Sequence, residues 1–544
     1  MQLAKQIAIP TIECTIRIWG GPGSGKTSYA TQIVQSYGVS PSELAALTLR
    51  KKMADDLARK LTQQGIADSS DELPYCSTMH GVIRRWFDFP SDASIYGNRE
   101  AGTPNLQKAF FEERRIPFNE SGEDIFGTIP DKLGNLFLAL RTWLIHTMHK
   151  PQEWGKAPLA AEFIRHGGGH RLFMRLLKEY EDFKLDNDLW DFDDLILAAL
   201  RSDQAPPVKL VLVDECQDNS LAMHTITAEW AQKIPIVILA GDPNQSIYGF
   251  LGSDPKLFWN HTKARKEINL EKCFRIPENT WEVAKSILEA SRHPVPDFKF
   301  DKKEGIVKRI AAHKLLDILR QHPWPAFHLV RANFQRERIA ELLIKVGRPF
   351  KGYASRWTDA DFHLYNAIFE IRKYAENGFD SEKLIPLPYL KRLAEVFPKQ
   401  FFNCKKNEIT SEWEWKEIHK VLKPLLISRL LSPDPLAHTL KSGISETQKL
   451  KVVNALRYND RKLTEADLHR IMTIHEAKGL ECDTVFLYSE WTRKIKHEAN
   501  FREEARVWFV GATRHRHMLI IVDGLFSDFL ACETCPFLRR WEGD

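Results

Sequence analysis

Residues 20–27 read Gly-Gly-Pro-Gly-Ser-Gly-Lys-Thr and follow the apolar run Cys14-Thr15-Ile16-Arg17-Ile18-Trp19. Gly20, Gly21, Gly23 and Gly25, with Pro22 and Ser24 between them, let successive backbone N–H groups converge on phosphate oxygens that a Cβ would obstruct. Lys26 adds a point charge for β/γ-phosphates, the Thr27 hydroxyl suits Mg²⁺, and Ser28 continues the opening turn of a helix. A second apolar run, Val208–Val213, ends in Asp214-Glu215-Cys216-Gln217-Asp218. Asp214 can hold the same metal, and Glu215 is placed to take a proton from an attacking water. A third run, Ile236–Ala240, ends in Gly241-Asp242-Pro243-Asn244-Gln245-Ser246-Ile247-Tyr248-Gly249-Phe250. Gln245 at a strand's carboxyl end can sense a γ-phosphate, while Tyr248 and Phe250 offer aromatic faces for a base. These residues imply that the chain binds a nucleoside triphosphate.

Such residues need short buried parallel strands that end on one edge, with helices between them, so an α/β fold is predicted. At 544 residues the chain suits three or four domains. Its 43% hydrophobic and 27% charged content is that of an ordinary globular protein. The net charge is only +5, so any track for a polyanion must come from local stretches such as Arg50-Lys51-Lys52, Arg84-Arg85 and Lys302-Lys303. Between Thr78-Met79-His80 and Asp214–Asp218, apolar residues recur at helical spacing (Leu136, Phe137, Leu140, Trp143, Leu144, then Phe173, Leu176, Leu177, Tyr180), broken by Gly167-Gly168-Gly169. The eight cysteines are scattered, which fits a reducing compartment. Cys532 and Cys535 have metal-ligand spacing without a second pair nearby. No apolar run approaches about 20 residues and no secretory layout opens the chain, so an intracellular protein is expected.

The ordered motifs resemble those of the UvrD/Rep/PcrA helicases, the superfamily 1A group of DNA translocases. Asp214–Asp218 and Gly241–Phe250 look like motifs II and III. Ala46–Lys52 resembles motif Ia, and Thr78-Met79-His80 resembles motif Ib. Asp191-Phe192-Asp193-Asp194-Leu195 matches the Asp-Phe-x-x-Leu helix before motif II. Leu270–Arg275 resembles motif IV, Met472–Glu481 motif V, and Glu503-Glu504-Ala505-Arg506 through Arg514 motif VI. The resemblance implies two RecA-like motor domains, each a parallel sheet flanked by helices and each carrying a mainly helical insertion. Domain 1A would take residues 1–83 and 185–265, 1B 84–184, 2A 266–354 and 466–544, and a short 2B 355–465.

The resemblance also implies an ATP-dependent, Mg²⁺-requiring helicase that moves 3′→5′ on single-stranded DNA and opens duplex at single-strand/duplex junctions. It would be cytoplasmic, and associated with the nucleoid when on DNA. Arg275 and Arg514 would reach the γ-phosphate, Phe274 would stack on adenine, and Gly479 and Glu481 would line the nucleotide, with Glu481 on the ribose. Thr48, Arg50, Lys51, Thr78, His80, Tyr248, Phe250, Thr473 and His475 would contact DNA. Departures from the family pattern fall on the strand track: Leu49 and Arg50 in motif Ia, Met79 in motif Ib, and Leu251 where an arginine is usual. Ser28 stands where an arginine is usual, and the N-terminal glutamine motif is not recognisable around Gln6. The short 2B and the lack of a C-terminal tail keep a second reading open, a DNA-stimulated ATPase subunit acting with a nuclease in repair or anti-phage defence. The residues do not separate DNA from RNA.

Overall fold

The computed structural model describes residues 14–87, 106–119, 132–301, 304–322, 324–376, 378–432, 436, 438–492, 495, 500–527 and 532–538. Gln6 and the Lys302-Lys303 pair lie outside them. The chain forms two compact units: Met1–Glu304 with Ala499–Thr513, and Gly305–Glu498 with Arg514–Asp544.

The first unit is built on a six-stranded sheet of β1 (Cys14–Gly20), β2 (Leu44–Thr48), β3 (Tyr75–Thr78), β4 (Leu210–Val213), β5 (Ile236–Gly241) and β6 (Lys266–Leu270), in the order β3-β2-β4-β5-β1-β6. Every pairing is parallel. Strands β2 and β4 are buried along their whole length, which is why they read as unbroken apolar runs. Side chains alternate between two cores. Ile16, Ile18, Leu44, Ala46, Leu212 and Ile238 pack with Val34, Leu57 and Leu61 of helices Lys26–Tyr37 and Lys51–Gln63. On the other face, Ala45, Leu47, Val211, Val213 and Leu239 pack with Leu195 and Ile226 of helices Phe192–Arg201 and Leu221–Trp230.

The stretch between β3 and β4 contains the helices expected from its periodicity. Leu133–His146 buries Leu136, Phe137, Leu140 and Leu144, and His170–Asp186 buries Phe173, Leu176 and Tyr180, all in one core. Arg141, 2% exposed, ties this insertion to the start of helix Phe192–Arg201 through Asp191 at 3.0 Å and Asp193 at 2.7 Å.

The expected second-motor boundary near residue 266 differs from the observed packing. Strand β6 completes the first sheet beside β1, and the short parallel pair β7 (Lys272–Cys273) and β8 (Lys299–Phe300) stays in the same unit. So does helix Phe501–Ala512, whose Phe509 ring lies 5.9 Å from Trp281 of helix Glu278–Ala290. The open edge of β1 supplies unpaired backbone groups that β6 satisfies, a pairing no local spacing announces.

The second unit has its own parallel sheet. Its strands are β9 (Ile306–Ala311), β10 (Phe327–Val330), β11 (Phe350–Lys351), β14 (His469–Thr473), β15 (Cys482–Tyr488) and β17 (His515–Asp523), in the order β11-β14-β10-β15-β17-β9. Two small antiparallel pairs accompany it: β12 (Leu384–Ile385) with β13 (Trp413–Glu414), and β16 (Glu490–Thr492) with β18 (Cys532–Thr534). The mainly helical stretch between β11 and β14 shares one core with this sheet. Tyr365, Ile368, Trp415 and Val452 pack in the same cluster as Val330, Phe350, Ile471 and Phe486. The fold class expected from the motifs is therefore present: two parallel-sheet α/β units, each with a helical insertion. Among the described residues all eight cysteines are free, no group of three or more His, Cys, Asp or Glu could hold a metal, and no helix is long and apolar enough to cross a membrane.

Candidate nucleotide and strand-binding site

In the first unit the expected nucleotide residues gather at the carboxyl ends of β1, β4 and β5, the edge where open α/β sheets bind ligands. The loop from Gly20 to Gly25 turns with positive φ at Gly23 (73°) and Gly25 (80°) and leads into helix Lys26–Tyr37. Its glycines answer to close neighbours. A Cβ at Gly21 would meet the Phe298 ring at 1.9 Å, and one at Gly23 would meet the Arg275 Cβ at 2.4 Å. Lys26 is buried and donates to the carbonyls of Gly20 and Gly21, both at 3.0 Å, so its ammonium is held inside the loop.

Thr27 Oγ1 donates to Asp214 Oδ2 at 2.8 Å. Asp214 Oδ1 is buried with no hydrogen-bond donor, and the Asp214 carboxyl is pushed up to about 6, by burial first and by the Glu215 charge second. A hydroxyl and an under-satisfied carboxylate oxygen side by side suit a hard cation that completes its shell with phosphate and water, so the residues fit Mg²⁺. Glu215 sits in the left-handed region at φ 53°, an uncommon conformation for a non-glycine residue. Gln217 Nε2 donates to Glu215 Oε2 at 2.6 Å, while Gln217 Oε1 accepts from the Asp242 N–H at 2.9 Å. Gln245 Nε2 donates to Asp242 Oδ2 at 2.6 Å. The acidic strand end and the third loop are thus joined through Gln217 and Asp242. Both lie within the quoted motifs, but neither is assigned a role from sequence.

Phe274 presents an aromatic face at the mouth of this loop. It is 45% exposed, its ring lies 3.8 Å from where a Gly25 Cβ would be, and its backbone N–H donates to the Gly23 carbonyl at 2.9 Å. Lys272 Nζ lies 4.9 Å from the ring centroid. Arg275 follows directly, in the first unit, and Ser28 is exposed at the start of the helix.

The expected strand-contact residues of this unit end the neighbouring strands. Thr48 closes β2, its Oγ1 donating to the Arg50 carbonyl at 3.1 Å, and Lys51 opens the next helix exposed. Thr78 caps helix Met79–Trp86, its Oγ1 accepting from the Gly81 N–H at 3.2 Å. The His80 imidazole is lowered to about 4, by burial and then by His146, so it is neutral at physiological pH and acts as a hydrogen-bonding group there, not a cation. Tyr248 departs from the expected open platform. It is 2% exposed, packs under the Arg50 guanidinium at 5.3 Å, and meets the Phe250 ring edge-on at 6.1 Å. Arg50 covers this ring by a cation–π contact. Phe250 is half-buried, and Phe192, which is 48% exposed, meets His80 edge-on at 5.7 Å.

In the second unit the sheet separates the remaining residues. Thr473 ends β14. It forms a reciprocal cap with Glu476, whose carboxylate accepts from the Thr473 N–H at 2.8 Å while Thr473 Oγ1 accepts from the Glu476 N–H at 3.3 Å. His475 follows on that edge and is buried. Gly479 (φ 81°) and Glu481 lead into the amino end of β15, next to Arg514, which precedes β17. The Cys482 N–H donates to the Arg514 carbonyl at 3.0 Å, and Arg516 pairs with Glu481 at 2.8 Å. The pair assigned to DNA and the trio assigned to nucleotide therefore sit at opposite edges of one parallel sheet.

Comparison with known proteins decides the family. Residues 1–266 match the UvrD/REP helicase N-terminal domain, and residues 429–523 match the UvrD-like helicase C-terminal domain. The chain belongs to the UvrD/Rep helicase family. It is 22% identical to the ATP-dependent DNA helicase PcrA of Bacillus subtilis, an alignment covering 95% of this chain and 82% of that protein. PcrA of Staphylococcus epidermidis is 23% identical, over 96% of this chain and 83% of its own. A probable DNA helicase of Mycoplasma pneumoniae is 24% identical, over 96% and 84%. The matched domains thus include residues of both units.

Proposed function

We propose that this chain uses ATP hydrolysis to move 3′→5′ along single-stranded DNA and to separate duplex ahead of it. As a UvrD/Rep family member it is an ATP-dependent DNA helicase. The polarity is taken from the family resemblance alone, and the observation that supports coupling hydrolysis to strand binding is the shared carboxyl edge of the first sheet. The Thr27–Asp214 pair, Glu215 and Gln217 stand there in one hydrogen-bonded line with the loop that ends in Tyr248 and Phe250.

In this reading the glycine-rich loop and Lys26 bind the triphosphate, and Phe274 stacks on the base. Thr27 and Asp214 would hold Mg²⁺, which when bound neutralises phosphate charge. Glu215, oriented by Gln217, accepts the proton of the attacking water. Gln245 exchanges its bond to Asp242 for one to the nucleotide, which changes the tension on its own loop. Arg275 and Arg514 stabilise charge on the transferring phosphoryl group, for which a planar guanidinium is suited. Thr48, Arg50, Lys51, Thr78, His80 and Phe250, with Thr473 and His475 from the second unit, contact the strand. Strand displacement on duplexes tailed at the 3′ or the 5′ side tests the polarity, and unwinding only from 5′ tails would overturn it. RNA-tailed substrates in the same assay test the choice of nucleic acid.

A further inference from the structure

The loop after β5 carries Gln245 near one end and Tyr248 and Phe250 near the other. Between them its backbone is held by a helix from a distant part of the chain. Glu503 Oε1 accepts from the Gly249 N–H at 2.8 Å, and Arg506 Nε donates to the Ser246 carbonyl at 2.6 Å. Arg506 Nη1 lies 3.2 Å from His293 Nε2, and His293 Nδ1 lies 2.7 Å from Ser291 Oγ, so the guanidinium is itself held by the turn that follows helix Glu278–Ala290. The fit at Gly249 is close, because a Cβ there would lie 2.5 Å from both Glu503 carboxylate oxygens. On the loop's other side, a Cβ at Gly252 would lie 2.7 Å from Thr147 Cγ2 at the end of the inserted helix Leu133–His146.

These contacts have a particular character. Both bonds from helix Phe501–Ala512 are charge-assisted and end on main-chain atoms, so they hold the loop's path without engaging its side chains. The same helix runs through Thr513 into Arg514, the residue assigned to the γ-phosphate. We propose that Glu503 and Arg506 form a strap through which helix Phe501–Ala512 sets the position of the loop 245–250, coupling strand binding to ATP turnover. They are positioning residues that act through the loop. The inference rests on the proposed function, in which Arg514 serves the nucleotide and Phe250 the strand.

The test compares purified full-length Glu503→Ala, Glu503→Gln, Arg506→Ala and Gly249→Ala proteins by ATPase rate without nucleic acid, ATPase rate with saturating oligo-dT, and KM for ATP. Loss of a hydrogen bond to a charged group predicts that stimulation by oligo-dT falls about tenfold in Glu503→Ala and Arg506→Ala. The DNA-free rate and KM stay within about twofold of the wild type. Glu503→Gln keeps an acceptor oxygen and recovers most of the stimulation. Gly249→Ala displaces only the end of a flexible side chain and so keeps the fold. It reproduces the loss alone and adds none in the Glu503→Ala background, as expected for two changes to one contact. Equal loss of the DNA-free and DNA-stimulated rates, undiminished stimulation, or additive Gly249→Ala and Glu503→Ala effects would each overturn the strap. A wild-type protein that oligo-dT does not stimulate would instead overturn the functional reading, and the strap with it.

Discussion

Replacing Gln217 with Glu changes one atom of a fully buried side chain and reverses the sense of its strongest bond. In the native protein Gln217 Nε2 donates to Glu215 Oε2 at 2.6 Å, and Oε1 receives the Asp242 N–H at 2.9 Å. The variant's carboxylate still accepts from Asp242, so the third loop keeps its anchor. Its other oxygen, however, faces Glu215 Oε2 across the same short distance. At an effective dielectric of about 20, two unit charges so close repel by about 6 kcal/mol, enough for the pair to retain a proton through neutral pH. Asp218 and Asp242 nearby add further negative charge. The proton-accepting form of Glu215 then becomes scarce, and the acid limb of the pH–kcat profile moves upward by roughly 4 units, the repulsion of about 6 kcal/mol at about 1.4 kcal/mol per unit. At pH 7 kcat falls by about 10- to 1000-fold, and raising the pH restores it. A profile lowered uniformly without a shift would mean that Gln217 is only a structural tie. An unchanged profile would refute Glu215 as the base it orients.

Three other consequences can be checked on purified protein. The Asp214 carboxyl is raised to about 6 by burial and by Glu215, so its contribution to folding is present below the ordinary carboxylate range and is lost as pH rises through about 6. Asp214→Asn should therefore stabilise the ligand-free protein by about 3 kcal/mol at pH 8 and little near pH 4, read by denaturant unfolding, while stopping hydrolysis. An equal effect at both pH values would remove the buried charge as its cause. Phe274→Ala should raise KM for ATP roughly 5- to 10-fold with kcat nearly unchanged, because the ring's open face contributes about 1–1.5 kcal/mol of stacking. A fall in kcat alone would mean that the ring shapes the loop instead. Arg141→Met leaves the Asp191, Asp193 and Glu181 carboxylates without their shared guanidinium and should cost about 3–5 kcal/mol of stability in the first unit. Adding Asp193→Asn should recover part of that loss in thermal unfolding.

Much of the site was legible because its determinants are local. A glycine-rich turn after an apolar run, or an acidic pair ending one, specifies backbone path and chemistry within about ten residues. The helices around Leu136–Leu144 and Phe173–Tyr180 were readable for the same reason, since their buried positions recur at helical spacing. What spacing does not encode is which exposed edge or face a distant segment will cover. β6 went to the open edge of β1, and helix Phe501–Ala512 packed against Glu278–Ala290, so the first unit takes residues assigned to the second. Tyr248 illustrates the same limit at a single residue. It packs under Arg50, a neighbour almost 200 positions away that lies beside it only because β2 and β5 both flank β4. Gln217 was within sight in the sequence, but a buried amide is recognised as a bridge only when both of its partners are placed.

The most direct measurement is ATP hydrolysis by the full chain with and without single-stranded DNA, beside a Lys26→Ala control. Lys26 is buried in the loop and held by the Gly20 and Gly21 carbonyls, so its loss removes the loop's cation without opening the core. The account predicts hydrolysis that DNA stimulates at least about tenfold and that Lys26→Ala abolishes under both conditions. Hydrolysis that persists in Lys26→Ala, or that does not respond to DNA in the wild type, would contradict it.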